Sequence, residues 1–125
     1  MLHHISFAVA DLAVAGAFYD AALGALGYRR VFEDKTAIGY GLEDGQDKLC
    51  LKLRPASVRP GPGFHLAFAA PSRAAVNAFH LRALGAGGTD NGAPGLRPRY
   101  GEHYYAGFVV NPDGHAIEAV INAAP

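Results

Sequence analysis

At 125 residues, with eleven basic and eleven acidic side chains, the sequence describes one neutral domain large enough to bury its own core. No like-charge run marks a nucleic-acid or membrane-surface footprint, and nowhere do about 18 apolar residues run together as a membrane span requires. The single cysteine, Cys50, cannot close an internal disulfide, and the N-terminus lacks a basic segment leading into a long apolar stretch. The expected compartment is the cytoplasm and the expected partner a small molecule.

The chain opens MLHHISFAVA, where Ile5, Phe7 and Val9 alternate with His4, Ser6 and Ala8 in the period of two that predicts a strand. Asp11 then suits a helix N-cap. Leu12, Ala15, Phe18, Tyr19, Ala22 and Leu23 recur at helical spacing, and Gly24 and Gly27 suit the stop. Three short apolar runs follow, over residues 28–33, 36–42 and 48–53, divided by Asp34-Lys35 and Glu43-Asp44-Gly45. Residues 54–63, with three prolines and two glycines, read as a linker.

The pattern then begins again. Residues 4–27 align without a gap on residues 65–88 at an offset of 61, with eleven of 24 positions identical, including His4 on His65, Phe7 on Phe68, Phe18 on Phe79 and Gly27 on Gly88. Ser72 takes the N-cap position, and Val76, Phe79, Ala83 and Leu84 form the helical stripe. Residues 85–101, GAGGTDNGAPGLRPRYG, are rich enough in Gly and Pro to predict one short strand within a long loop, of the kind that forms binding loops or solvated connections. Two final strands, over 104–110 and 115–121, flank the turn Asn111-Pro112-Asp113-Gly114. The chain is thus two tandem βαβββ modules of the α+β class, covering about 1–54 and 63–125 with the linker at about 55–62.

Strand parity separates the histidines. If Ile5, Phe7 and Val9 pack on the helix, His4 opens the opposite face with Ser6 and Ala8, while His3 shares the helix side or frays. His65, Ala67 and Ala69 repeat that face in the second module. In the last strand Ile117, Ala119 and Ile121 take the helix side, leaving Glu118 as the one carboxylate on the open face of an apolar strand. An unpaired carboxylate is costly to bury, so it requires a hydrogen-bond partner or a metal. Taken singly, each histidine reads as a structural side chain. Together, two repeat-related imidazoles and one carboxylate make a 2-His-1-carboxylate set suited to a divalent ion with open positions.

The order HHISFAVADL..AGAFYDAALGALGYRRV, GFHLAFAA and YYAGFVVNPDGHAIEAV resembles the vicinal oxygen chelate superfamily, which takes in glyoxalase I, extradiol dioxygenases, fosfomycin-resistance transferases and bleomycin-resistance binding proteins. The resemblance covers nearly the whole chain. It implies a cupped mixed β-sheet built from two βαβββ modules, the glyoxalase/bleomycin resistance/dioxygenase fold, often as a homodimer. It also implies one divalent metal ion (Fe, Mn, Zn, Ni or Co) held by His4, His65 and Glu118. Glyoxalase I adds an acidic fourth ligand on the last strand of the first module. Here that strand is DKLCLKL, and parity puts Lys48, Cys50 and Lys52 on the open face with no carboxylate.

The segment DNGAPGLRPRYGEHYY resembles that of a bacterial glyoxalase-like subgroup and supplies the remaining candidates. Asn91, Arg97 and Tyr100 are candidates for substrate contact, with Arg97 or Arg99 able to hold a carboxylate or phosphate bidentately or to be simple loop arginines. His103, Tyr104 and Tyr105 are candidate acids or bases, or strand-edge packing residues. His80 is expected to face solvent, His115 to serve the turn, and Cys50 to face core or cavity. The resulting expectation is a glyoxalase-like or dioxygenase-like metal-dependent enzyme acting on a small oxygenated molecule. The alternative is a non-catalytic binding protein of the bleomycin-resistance kind.

Overall fold

A computed structural model describes residues 1–56 and 59–125. Its elements run β1 (Ile5–Val9), α1 (Leu12–Gly24), β2 (Arg29–Glu33), β3 (Ala37–Glu43), β4 (Gln46–Leu53), β5 (Leu66–Ala69), α2 (Arg73–Gly85), β6 (Thr89–Leu96), β7 (Tyr104–Val110) and β8 (Ala116–Asn122). They form two mixed four-stranded sheets, ordered β1-β4-β3-β2 and β5-β8-β7-β6. In each, the first strand runs parallel to the last, with Ile5 beside Leu49 and Leu66 beside Ile117. Part of the linker, Ser57 and Val58, lies outside the described residues.

Both helices start as their sequences predict. The Asp11 carboxylate accepts from the Val14 amide and the Ser72 hydroxyl from the Ala75 amide, each at 3.0 Å. Such a cap contributes about 1 kcal/mol by satisfying an amide the helix cannot. At the other end, Gly27 at φ +94° and Gly87 at φ +103° adopt the left-handed conformation, and the next amides, Tyr28 and Gly88, reach back to the carbonyls of Leu23 and Ala83. These are the glycine stops of two Schellman-type ends. The second stop falls one residue earlier in the repeat. Gly88 therefore does not match Gly27 in role. A Cβ on Gly88 would lie 2.8 Å from both the Ala83 carbonyl oxygen and the Phe18 ring, so it is there for close approach.

The helical stripes bury against the sheets. Phe18, Tyr19, Val76 and Phe79 have no exposure, as have Val9, Leu51, Val109 and Ile117 beneath them. Burying a side chain of this size stabilises by about 1.5–3 kcal/mol. The modules share this core, with α1 packed on α2. A buried polar tie at the β7–β8 turn also joins them. Asn111 Oδ1 accepts from the amides of Asp113 (3.0 Å) and His115 (2.8 Å), while its Nδ2 donates to the Tyr19 hydroxyl (2.7 Å). Asp113 in turn accepts from the Ala10 amide at 2.9 Å, and the His115 ring stacks on Phe7 at 4.3 Å.

Three expectations need correction. The Gly/Pro-rich stretch does not hold a short strand in a long loop: β6 spans eight residues along β7 and absorbs its irregular sequence in register shifts at Asp90/Gly92 and Gly92/Gly95. As an edge strand it tolerates Pro94, whose missing amide is not needed inward. Second, His80 does not face solvent. It is buried beneath Asp90, whose carboxylate lies 2.9 Å from Nε2. The repeat places His80 on Tyr19, itself fully buried, and that match was the available signal. Third, β4 pairs Leu49 with Tyr40 but Asp47 with Gly41, so Lys48 is a bulged extra residue and parity changes there. Asp47 thereby joins Cys50 on the open face, beside Gly39, whose substitution by a Cβ would meet Asp47 at 2.8 Å.

Candidate functional site

The open face of the second sheet holds the one buried carboxylate among the described residues. On β8, Glu118 is flanked in register by Ala67 of β5 and Phe108 of β7. It is only 4% exposed. Ala67 is too small to cover it, so neighbouring polar groups reach in. His65 Nε2 contacts Oε1 directly, and the Tyr104 hydroxyl donates to Oε2 at 2.8 Å. His65, Tyr100, Tyr104, Phe108 and Glu118 line a cleft of about 500 Å³.

The electrostatics fix the protonation state of the phenol. Burial, followed by the hydrogen bond to Glu118 and its negative charge, pushes the Tyr104 pKa up to about 12. At neutral pH Tyr104 is therefore a phenol that donates. His65 is half-exposed while Glu118 is not, so the imidazole forms the cleft's mouth and the carboxylate its floor.

The other candidates divide clearly. Tyr100 lines the cleft, its ring tilted against that of Tyr104 with centroids 5.3 Å apart. Arg97 lies over the Phe108 ring with Cζ 5.1 Å from its centroid, and Arg99 lies likewise over Tyr100 at 4.9 Å. Asn91 is exposed at the first register shift of β6. His103 lies outside the cleft lining, with Nε2 3.8 Å from Glu102. Tyr105 turns to the helix side, where its hydroxyl donates to Asn77 at 2.6 Å. Phe108 escaped notice in the sequence, although its register opposite Glu118 follows from the alternation of Tyr104, Ala106 and Phe108.

His4 stands apart from this group. With His3, whose Nδ1 lies 2.8 Å from its own, it borders a separate cavity of about 170 Å³ with Tyr28, Tyr40, Leu66 and Phe68. Both histidines are exposed. In the first module Ser6 pairs with Cys50, just as Ala67 pairs with Glu118 in the second. Since Ser6 and Ala67 are equivalent in the repeat, Cys50 occupies the register of Glu118. Its thiol is buried, and desolvation reinforced by the Asp47 charge raises its pKa.

The model of the Glyoxalase/Bleomycin resistance protein/Dioxygenase superfamily matches residues 1–119. The chain belongs to this superfamily. Among solved structures, a glyoxalase/bleomycin resistance protein from Albidiferax ferrireducens is similar over 94% of each chain, at 31% identity and a TM-score of 0.80. A glyoxalase-related enzyme from Fulvimarina pelagi matches over 98% of this chain and 88% of its own, at 24% identity and a TM-score of 0.75. A glyoxalase I mutant from Zea mays matches 94% of this chain but 45% of its own length, at 20% identity and a TM-score of 0.72. No curated protein matches. The last two likenesses extend to the fold alone.

Superfamily members commonly use a divalent metal. In this member, two suitable donors converge, the Glu118 carboxylate and the His65 imidazole, with an oxygen donor from Tyr104 alongside. Among the described residues of one chain, no group of three or more His, Cys, Asp or Glu side chains is placed to hold an ion. The chemistry of these two donors fits a divalent ion.

Proposed function

We propose that the protein is a divalent-metal-dependent enzyme of glyoxalase-like or dioxygenase-like chemistry, acting on a small oxygenated organic molecule through His4, His65 and Glu118. The observation that carries this reading is the buried Glu118 carboxylate on an otherwise apolar strand, facing a cleft with an imidazole at its mouth. A buried carboxylate must be compensated, and here the imidazole and the phenol that compensate it also line the cleft. His4 completes the set from a second copy of the chain. Two features support that arrangement: His4 is exposed, and β1 and β5 are both edge strands with one side unpaired.

A divalent ion there supplies Lewis-acid polarisation of substrate oxygens. The residues of the chain do the rest. Glu118 and His65 orient donors toward one point, and Glu118 can accept a proton from a substrate carbon or oxygen. Tyr104, protonated at neutral pH, can turn its one hydroxyl hydrogen from Glu118 to a developing oxyanion once Glu118 has itself taken up a proton. Tyr100 and Phe108 shield the cleft floor from water.

Metal content of protein purified without chelators, compared with His65→Ala, Glu118→Ala and His4→Ala variants, tests the reading. Wild type should retain Fe, Mn, Zn, Ni or Co, with each variant reduced at least tenfold in affinity. Co-expressed His4→Ala and Glu118→Ala chains should recover one intact site per mixed dimer. Wild type binding none of the five ions better than Glu118→Ala overturns the metal assignment, and full binding by a monomeric His4→Ala variant overturns the shared site. Thiol adducts of 2-oxoaldehydes and catechols, assayed with oxygen uptake, then separate isomerase or lyase from dioxygenase chemistry.

A further inference from the structure

The cleft over Glu118 is bordered by a continuous series of side-chain contacts. Tyr100 packs on Tyr104 at a tilt of 57° with centroids 5.3 Å apart, Tyr104 bonds Glu118, Glu118 bonds His65, and His65 lies 5.9 Å from Phe108 between centroids. An arginine stands at each end of the series, Arg99 over Tyr100 and Arg97 over Phe108. Among the described residues neither guanidinium pairs with a carboxylate, although the chain forms such pairs at Arg29 and Arg30.

Arg97 is the more firmly held of the two. Its Nη2 donates to the Ala93 carbonyl at 2.7 Å and its Nη1 to that of Leu96 at 3.4 Å, while its own backbone amide donates to Tyr104 at 2.8 Å. The glycines of β6 make room for it. A Cβ at Gly92 or Gly95 would lie 3.3 or 3.2 Å from the guanidinium nitrogens, and Gly92 also needs its φ of +144°. Two backbone carbonyls leave part of the donor fork unused, and the positive charge uncompensated. A guanidinium has a planar set of donors that matches a planar carboxylate, and the faces of neighbouring rings match an aromatic one.

We propose that the cleft takes a planar aromatic carboxylate, with its ring between Tyr100 and Phe108 and its carboxylate on Arg97. This rests on reading the cleft as the substrate site, but not on the metal. The carboxylate would satisfy the free donors of Arg97 and neutralise a charge that has no carboxylate partner among the described residues. Arg99, which donates to the Tyr100 hydroxyl at 2.9 Å, fixes the opposite wall.

The test uses metal-free full-length protein and three probes of matched size: benzoate, benzamide and cyclohexanecarboxylate. Binding is followed by calorimetry and by amide and arginine side-chain NMR shifts. Benzoate should bind at least tenfold more tightly than either other probe, shifting Phe108, Tyr100 and the Arg97 Nε resonance. Arg97→Gln should lose about tenfold in benzoate affinity and Arg97→Lys less, both with unchanged spectral dispersion elsewhere. Equal binding of benzamide, equal binding of cyclohexanecarboxylate, or undiminished benzoate binding by Arg97→Gln overturns the proposal. Cobalt binding, measured separately on the same variants, keeps the two readings apart. Arg97→Gln that still binds cobalt but has lost its benzoate preference supports the carboxylate site. Wild type that binds benzoate as described but no cobalt leaves the carboxylate site standing and refutes the metal.

Discussion

Replacing Asn111 with alanine should destabilise the protein by about 3–5 kcal/mol. Asn111 is 3% exposed and holds three groups at once. Its Oδ1 accepts from the amides of Asp113 and His115, which lose about 1 kcal/mol each when the acceptor disappears. Its Nδ2 donates to the hydroxyl of Tyr19, a residue with no exposure, so truncation leaves a buried oxygen without that partner at a further cost of about 1–3 kcal/mol. Set against a typical total of about 5–15 kcal/mol, that is a large fraction. Urea unfolding followed by far-UV circular dichroism measures it, with an unchanged slope confirming that the transition is the same. Tyr19→Phe removes only the hydroxyl and should cost about 1 kcal/mol. The double variant should then cost less than the sum of the singles by about 1 kcal/mol or more. An Asn111→Ala midpoint within 1 kcal/mol of wild type would refute the role given to this turn in tying the modules together.

Four further outcomes are expected. His115, buried against Phe7, is held below its ordinary pKa by desolvation, so the unfolded chain takes up its proton first as the pH falls; stability should decline below about pH 6.5, and the decline should be shallower in His115→Gln. Gly88→Ala, which would bring a Cβ against the Ala83 carbonyl and Phe18, should cost about 1–3 kcal/mol in thermal or urea unfolding, whereas Gly24→Ala, with nothing within 4 Å, should cost nothing and serves as the control. Tyr104→Phe should fold, lose about 1–2 kcal/mol through the missing bond to Glu118, and lower any catalytic rate more than it lowers metal affinity. His4→Ala should reduce metal affinity sharply while His3→Ala leaves it nearly unchanged; equal effects would refute the assignment of His4.

The frame of the fold was legible because it is written in local physical chemistry. Asp11 and Ser72 announce helix starts, the alternation in ISFAV announces a strand, and the 61-residue offset announces that the arrangement happens twice. Glu118 and His65 could be placed on one face for the same reason, since parity needs only a regular strand. The failures came where regularity breaks. The bulge at Lys48 moves Asp47 to the open face, and β6 keeps its pairing despite its glycines by shifting register twice. A bulge depends on the partner strand, so its position is absent from the strand's own pattern. The buried set around Asn111 depends on contacts between residues 92 positions apart, which no local motif reports. The separation of His4 from Glu118 depends on how the two sheets are disposed, a property of tertiary packing that parity within each strand does not reach.

The shared register of Cys50 and Glu118 makes the two halves of the chain equivalent in shape but opposite in chemical hardness. One half offers a carboxylate, a hard oxygen donor, and the other a neutral buried thiol, whose sulfur becomes a strong donor only after its proton has gone to solvent or a base. The chemical difference between the halves at this ladder position therefore rests on one side chain, and Cys50→Glu would put a carboxylate at both.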